Sequence, residues 1–290
     1  MRSALIKLHI AIFLWGFTGV LGRFITLNEG LLVWYRILIT IIILYCIFTY
    51  KKTFQPIAKN LKLRLMSIGV IVALHWLFFY GSIKYANVSI SLICLSSIAF
   101  FTAILEPIII KRRISLIEII LSIIGVLGIA LIFHFDNKFR IGITLGILSA
   151  IFSAVFSIYN KKNIVSTNSQ NMMYYELIGG FLFLTICMPL YLFIFPTTHL
   201  VPNLQDFFWL LILSWVCTVI AMDFSLQALQ KVSAFTLTLT VNLEPVYGIL
   251  LAFFIFNEQN ELGQSFYLGF GFIVLSVVLQ MIRIAKYKSV

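Results

Sequence analysis

Three side chains in this sequence carry charge or titrate inside apolar surroundings, where such groups are costly. Glu244 lies in TLTVNLEPVYG, between FTLTLTV and YGILLAFFIF. An ionised side chain in hydrocarbon costs at least about 3 kcal/mol, so Glu244 must face the protein interior and be paired, protonated or wet. Pro245 follows it. Proline has no N–H, so the carbonyl of Val241 loses its helical partner, and the ring crowds that carbonyl. A kink or local unwinding is expected over Val241, Asn242, Leu243 and Glu244, and freed carbonyls there can bind a ligand or water. The chemistry is that of a carboxylate that binds a substrate amine or carries a coupling proton. The bland alternative is a carboxylate that caps the kink or bonds a neighbouring helix.

Other residues can join it. Thr236, Thr240, Glu244 and Gly248 recur at i+4 and share one helix face, with Tyr247 beside them. That stripe fits a helix facing a cavity, unless the threonines simply bond back to their own helix. Arg36 follows Trp34 and Tyr35. It can clamp a carboxylate or phosphate, or it can snorkel from an aromatic belt. His75 can relay protons, or it can be a hydrogen-bonded core histidine. From its position in its apolar run, Glu244 is about 18 Å deep and His75 about 15 Å deep at 1.5 Å per helical residue. Trp15 falls near the middle of the first run, at a similar level.

The elements that must position these groups follow from composition. Hydrophobic residues make up 61% of the 290 residues and charged residues only 11%, and mean hydropathy is +1.06. A soluble domain is about half apolar and a quarter charged, so the chain reads as a polytopic membrane protein. Crossing a bilayer takes roughly 20 apolar residues as a helix, and an open sheet could not satisfy its backbone in lipid. Ten apolar windows qualify: 7–26, 31–50, 65–84, 88–110, 116–135, 141–160, 174–195, 207–228, 232–256 and 265–284. The first begins after Arg2 and Lys7 and lacks an A-x-A cleavage site, so a retained span is expected.

The net charge of +11 reflects loop lysines and arginines, and no loop is large enough for a nucleic-acid-binding module. With the N-terminus in the cytoplasm, 16 basic residues fall in inside segments. Arg23, Lys84, Lys138 and Arg140 fall in outside segments. This bias predicts both termini inside. Cys46, Cys94, Cys187 and Cys217 lie in apolar runs without CxxC spacing, so no disulfide, metal or cofactor is indicated.

The two halves echo one another. WYRIL at 34–38 answers YYELI at 174–178, NVSIS at 87–91 answers KVSAF at 231–235, and Gly125 answers Gly271. Each half holds five windows, and an odd number inverts the second half relative to the first. Inverted repeats of this kind characterise secondary transporters. The expected fold is all-α with ten transmembrane helices, as repeats over 1–138 and 139–290.

These features resemble the drug/metabolite transporter superfamily, EamA-type branch. The resemblance rests on Trp15-Gly16, on Arg36, on Val232-Ser233-Ala234 leading to Leu243-Glu244-Pro245, on Asn257-Glu258, and on glycines of the fifth and tenth windows. It implies ten helices around a central substrate cavity, no enzymatic activity, and transport of small organic metabolites such as amino acids. The chain departs from the family pattern at Ile98, where the first half often has proline, and at Lys111-Arg112-Arg113, where an acidic turn is usual. Both departures weaken the case for a matching helix break in the first half.

The expected function is a secondary exporter or facilitator working by alternating access in a bacterial cytoplasmic (inner) membrane. Its candidate binding or coupling residues are Glu244, Arg36, His75, Trp15, Thr240, Asn242 and Tyr247, and protons are a candidate partner. The alternative is a flippase or transferase acting on lipid-linked substrates. HExxH, P-loop and G-x-S-x-G motifs are absent. Asp223, Gln227 and Gln230 at i, i+4 and i+7 could line an inner vestibule, or Asp223 could pair with a lysine. Glu176 is expected to be solvated or paired near the inner surface.

Overall fold

The computed structural model describes residues 2–111, 116–135, 139–241 and 243–287. All regular structure among them is helical. In chain order the helices are α1 (Arg2–Gly16), α2 (Thr18–Phe24), α3 (Glu29–Lys51), α4 (Lys59–Tyr85), α5 (Val88–Leu95) and α6 (Ile98–Ile110). They continue with α7 (Leu116–Phe135), α8 (Arg140–Asn163), α9 (Ser169–Ile194) and α10 (Leu204–Ser214). A π-helical turn (Trp215–Ile220) joins α10 to α11 (Ala221–Leu229), followed by α12 (Ala234–Val241), α13 (Glu244–Phe256) and α14 (Gln264–Tyr287). Among the described residues, seven helical stretches are long and apolar enough to cross a membrane, and α13 is apolar but shorter. Large hydrophobic side chains such as Phe193 and Phe254, each 84% exposed, stud the outside, as a lipid solvent requires.

Local sequence sets the helix ends. Asn28, Asn87, Asn168 and Asn203 each accept a hydrogen bond from a backbone N–H three residues on, starting α3, α5, α9 and α10. Left-handed residues Lys52, Lys111 and Asn257 close α3, α6 and α13.

Long-range bonds sort the helix ends into two groups. At one end Lys7 donates to Gln227, Ser169 to Asp223, and Lys161 to the Leu229 carbonyl. At the other, the wholly buried Glu258 accepts from Arg23, from the backbone N–H groups of Val88 (3.1 Å) and Ser89 (2.9 Å), and from the Ser89 hydroxyl. Asp206 accepts there from Thr26, and Lys84 donates to the Ile25 carbonyl. Asp223 therefore bonds Ser169, Gln170 and Gln227 rather than a lysine.

Small residues bring backbones together between these ends, which is how helices associate where no hydrophobic effect drives them. A Cβ at Gly69 would stand 1.7 Å from the Glu176 carbonyl oxygen, and one at Gly179 would stand 2.1 Å from the Met66 carbonyl oxygen. No alanine fits the α4–α9 crossing without separating the helices.

The expected interruption in the second half is present, since α12 stops at Val241 and α13 starts at Glu244 with Pro245 in its first turn. Asn242 lies outside the described residues. The first half breaks as well, between Leu95 and Ile98, although it has no proline there. Ser97 N–H bonds the Cys94 carbonyl at 3.1 Å, and Leu243 N–H bonds the Thr240 carbonyl at 3.0 Å. Both breaks thus tighten into the same i→i−3 turn. In the first half two serines do the work of the proline: Ser96 and Ser97 turn their hydroxyls back onto the Leu92 and Cys94 carbonyls.

Candidate functional site

The two breaks, α1, α3, α4, α8, the π-turn and α11 surround an internal cavity of about 90 Å³. At roughly 10–15 Å³ per water, that holds a handful of waters or a compact ligand. Trp15, Arg36, His75 and Glu244 all line it. Four residues scattered over the sequence therefore meet on one wall system.

Arg36 is 2% exposed and does not snorkel. Its Nε donates to Thr218 Oγ1 at 3.0 Å, and Nη1 donates to Tyr80 Oη at 2.9 Å. The guanidinium carbon sits 3.8 Å from the ring centroid of Trp76, a cation–π contact strengthened by desolvation. Trp76 and Tyr80 are one turn apart on α4 and so share a face. Thr218 is presented by the π-turn, where its hydroxyl donates to the Leu213 carbonyl five residues back. Ser214 ties the same turn to the Arg36 carbonyl. A guanidinium has five N–H donors, and Nη2 spends neither of its two on protein among the described residues.

Glu244 is 5% exposed, and its carboxylate accepts no hydrogen bond from the described residues. It opens α13, where the helix dipole favours negative charge. Arg36 acts on it electrostatically, yet the two form no ion pair. A guanidinium and a carboxyl group thus face one cavity without touching each other. His75 Nδ1 lies 3.0 Å from the Ser149 carbonyl oxygen and 2.8 Å from its Oγ, which anchors the imidazole to α8. His75 is therefore both cavity-lining and hydrogen-bonded.

Two expected residues stand elsewhere. Thr240 does not line the cavity, and its hydroxyl donates to the Thr236 carbonyl at 2.7 Å. Tyr247 packs edge-on against Phe13 and meets Gly16 of α1. Gly248 serves the contacts of α13 with α5 and α1: a Cβ there would stand 2.2 Å from Leu92 and 3.0 Å from the Gly16 carbonyl oxygen. The reason is the break itself. The i+4 stripe assumes a continuous helix, whereas the turn after Val241 resets its phase. Leu237, Thr238, Val241 and Glu244 make the wall instead. Near the Lys7 end, Asp223 and Gln227 line a polar recess with Gln55 and Gln170, and Gln230 does not join them.

Several groups went unread in the sequence: the lining residues Trp76, Thr218, Ser153, Ser157 and Asn160, and Tyr80, which holds Arg36 from behind. The Trp76-x3-Tyr80 spacing beside His75 was the available signal. The π-turn had none.

The family model for the EamA-like transporter family matches residues 2–134 and again residues 140–282. The chain belongs to the EamA-like transporter family. It is an integral, multi-pass membrane protein of a transporter family, built on two copies of one repeat. Twenty-eight solved chains match it. One, described as "Crystal structure of protein", is 13% identical, covers 99% of both chains and superposes with a TM-score of 0.70; at that identity it shows a shared fold. No curated protein matches.

Proposed function

We propose that this EamA-like transporter is a secondary carrier of small zwitterionic metabolites such as amino acids, working as an exporter or facilitator by alternating access. The observation that carries this is the guanidinium of Arg36 and the carboxyl group of Glu244, which line one cavity without pairing. A guanidinium with free N–H groups suits a carboxylate, and a buried carboxylate at a helix start suits an ammonium. A zwitterion satisfies both at once, and the aromatic faces of Trp15, Trp76 and Phe79 provide apolar wall for its side chain. Neither group is held in an ion pair among the described residues that substrate would have to displace.

The accompanying topology is ten crossings as two inverted five-helix repeats, 1–138 and 139–290, with both termini in the cytoplasm of a bacterial cell. Equivalent breaks in α5–α6 and α12–α13, and left-handed caps at Lys111 and Asn257, support an internal repeat. The difference in basic residues between the two ends supports the orientation.

The test is flux of radiolabelled L-amino acids into liposomes holding purified protein, compared with Glu244→Gln. The variant keeps size and hydrogen-bonding capacity and removes the charge. Normal folded yield with lost flux supports the proposal. Unchanged amino-acid flux leaves Glu244 as structure only, and lipid scrambling without metabolite flux transfers the protein to the flippase alternative.

A further inference from the structure

Outside the ligand-facing walls, one ionisable side chain has no visible means of support. Glu176 of α9 is wholly buried, and both of its carboxyl oxygens are enclosed without a hydrogen-bond donor. Its backbone carbonyl lies at the α4–α9 crossing, against Gly69, and its side chain is closed off from solvent. The titratable groups on the neighbouring helices are engaged elsewhere. Arg36 of α3 bonds Thr218 and Tyr80. On α4, Arg64 reaches Asn163, Lys62 stands over the Tyr175 ring, and His75 is held by Ser149. Lys161 of α8 bonds the Leu229 carbonyl, and Asp223 of α11 is bonded by Ser169 and Gln227. No ion pair reaches Glu176 among the described residues. Among the described residues, the side chain that acts on its carboxyl is Asn160 of α8.

Asn160 is itself buried, with its Oδ1 enclosed and unpaired, and it also lines the central cavity. An ionised Glu176 would bring only acceptors to this cluster, leaving Oδ1 without a donor. A carboxylic acid brings one O–H. An amide and a carboxylic acid are complementary: Nδ2–H can donate to one carboxyl oxygen while the acid O–H donates to Oδ1. That two-bond ring exists only when the carboxyl carries a proton.

The repeat adds a second, independent observation. Arg36 and Glu176 are the central residues of the matching segments WYRIL and YYELI. Each lies seven residues into its helix, α3 starting at Glu29 and α9 at Ser169, or about 10 Å of helical rise. Asn28, which starts α3, belongs to the end where Thr26 meets Asp206, whereas Ser169 belongs to the Lys7 end. The same repeat position therefore holds a permanent cation near one end of the cavity and a carboxyl group near the other.

We propose that Glu176 is the proton site of this transporter: with Asn160 as its bridge to the cavity, it holds a proton in the present conformation and exchanges it when the Lys7 end opens. The inference rests on the transport reading for its purpose but not for its chemistry. Glu244 takes the substrate amine, and Glu176 takes the proton that ties movement to a pH gradient. Protonation and release transfer one proton between the carboxyl and cavity water, with no other bond made or broken.

The experiment is infrared difference spectroscopy of the purified full-length protein during a pH titration, followed by liposome uptake of radiolabelled L-amino acids with and without an imposed proton gradient. Wild type is expected to show the C=O stretch of a protonated carboxyl in a dry site at neutral pH. Glu176→Gln is expected to lose that band, and Glu244→Gln to keep it. Asn160→Leu is expected to shift its frequency, which a purely structural asparagine would not do. In liposomes, Glu176→Gln is expected to lose the acceleration by the gradient, with its own uptake at matched pH as baseline. A band absent from wild type at neutral pH, or unchanged in Glu176→Gln, overturns the proposal, as does gradient-driven uptake that survives the substitution. If no amino acid moves in any sample, the cargo assignment fails while the infrared bands still decide the proton site.

Discussion

Replacing Arg36 by lysine isolates what the guanidinium does beyond carrying charge. In the wild type Nε and Nη1 are committed to Thr218 and Tyr80 at 3.0 and 2.9 Å, and the plane lies over Trp76 at 3.8 Å. Three of five N–H donors remain, including both on Nη2. A lysine ammonium has three donors and no plane. If two replace the bonds to Thr218 and Tyr80, one is left for the substrate carboxylate, where arginine can offer a pair. The substitution then forfeits one charge-assisted hydrogen bond, about 1.5–3 kcal/mol. At 1.4 kcal/mol per tenfold, substrate affinity falls about 10- to 150-fold. Arg36→Ala removes both bonds and falls further. The assay is concentration-dependent uptake of labelled L-amino acids into proteoliposomes, corrected for folded protein, with the decarboxylated amines as competitors. Amines lacking the carboxylate are expected to compete equally against wild type and Arg36→Lys. A lysine variant with wild-type affinity for the amino acids would refute the clamp and return Arg36 to a packing role.

Gly69→Ala places a methyl 1.7 Å from the Glu176 carbonyl oxygen, forcing α4 and α9 apart. Overpacking of this kind costs about 1–3 kcal/mol, read as a lower melting temperature in detergent. Gly271→Ala meets nothing within 4 Å and is expected to stay within about 0.5 kcal/mol of wild type. Glu258→Ala leaves Arg23 unpaired and the Val88 and Ser89 N–H groups without their acceptor. Arg23 is partly exposed, so the main cost is the two buried N–H groups left unsatisfied, about 1–3 kcal/mol each; folded yield is expected to fall, with Glu258→Gln intermediate. Reporter fusions at Ser166 and Val290 are expected to read cytoplasmic and one at Thr198 external; an external Val290 would refute the inverted arrangement.

The helical, lipid-facing nature of the chain was legible because each apolar run is contiguous and long. Glu244 and Arg36 could be singled out because charge in hydrocarbon is costly wherever it occurs, and both are buried at the cavity. The Thr240–Gly248 stripe misled because periodicity assumes an unbroken helix. The first-half break was missed because proline was taken as its cause, whereas Ser96 and Ser97 achieve it with back-bonding hydroxyls that sequence does not distinguish from ordinary helix serines. Glu176 was expected to be solvated or paired and is neither: its side chain is buried and both carboxyl oxygens lack a hydrogen-bond partner among the described residues.

Sequence by itself determined the solvent of this protein, its helical class, its charge asymmetry and its two-fold repeat, because these are sums over neighbouring residues. Only the tertiary structure decided which polar groups meet. Arg36 finds Tyr80 and Thr218 across 44 and 182 residues of chain. Glu176 meets Gly69 of α4, more than a hundred residues away, through its backbone carbonyl, and its side chain is buried in the same packing. Successive side chains turn by about 100° around a helix, so a single turn such as that after Val241 or Leu95 redirects every residue that follows. The direction taken depends on packing between helices far apart in the chain.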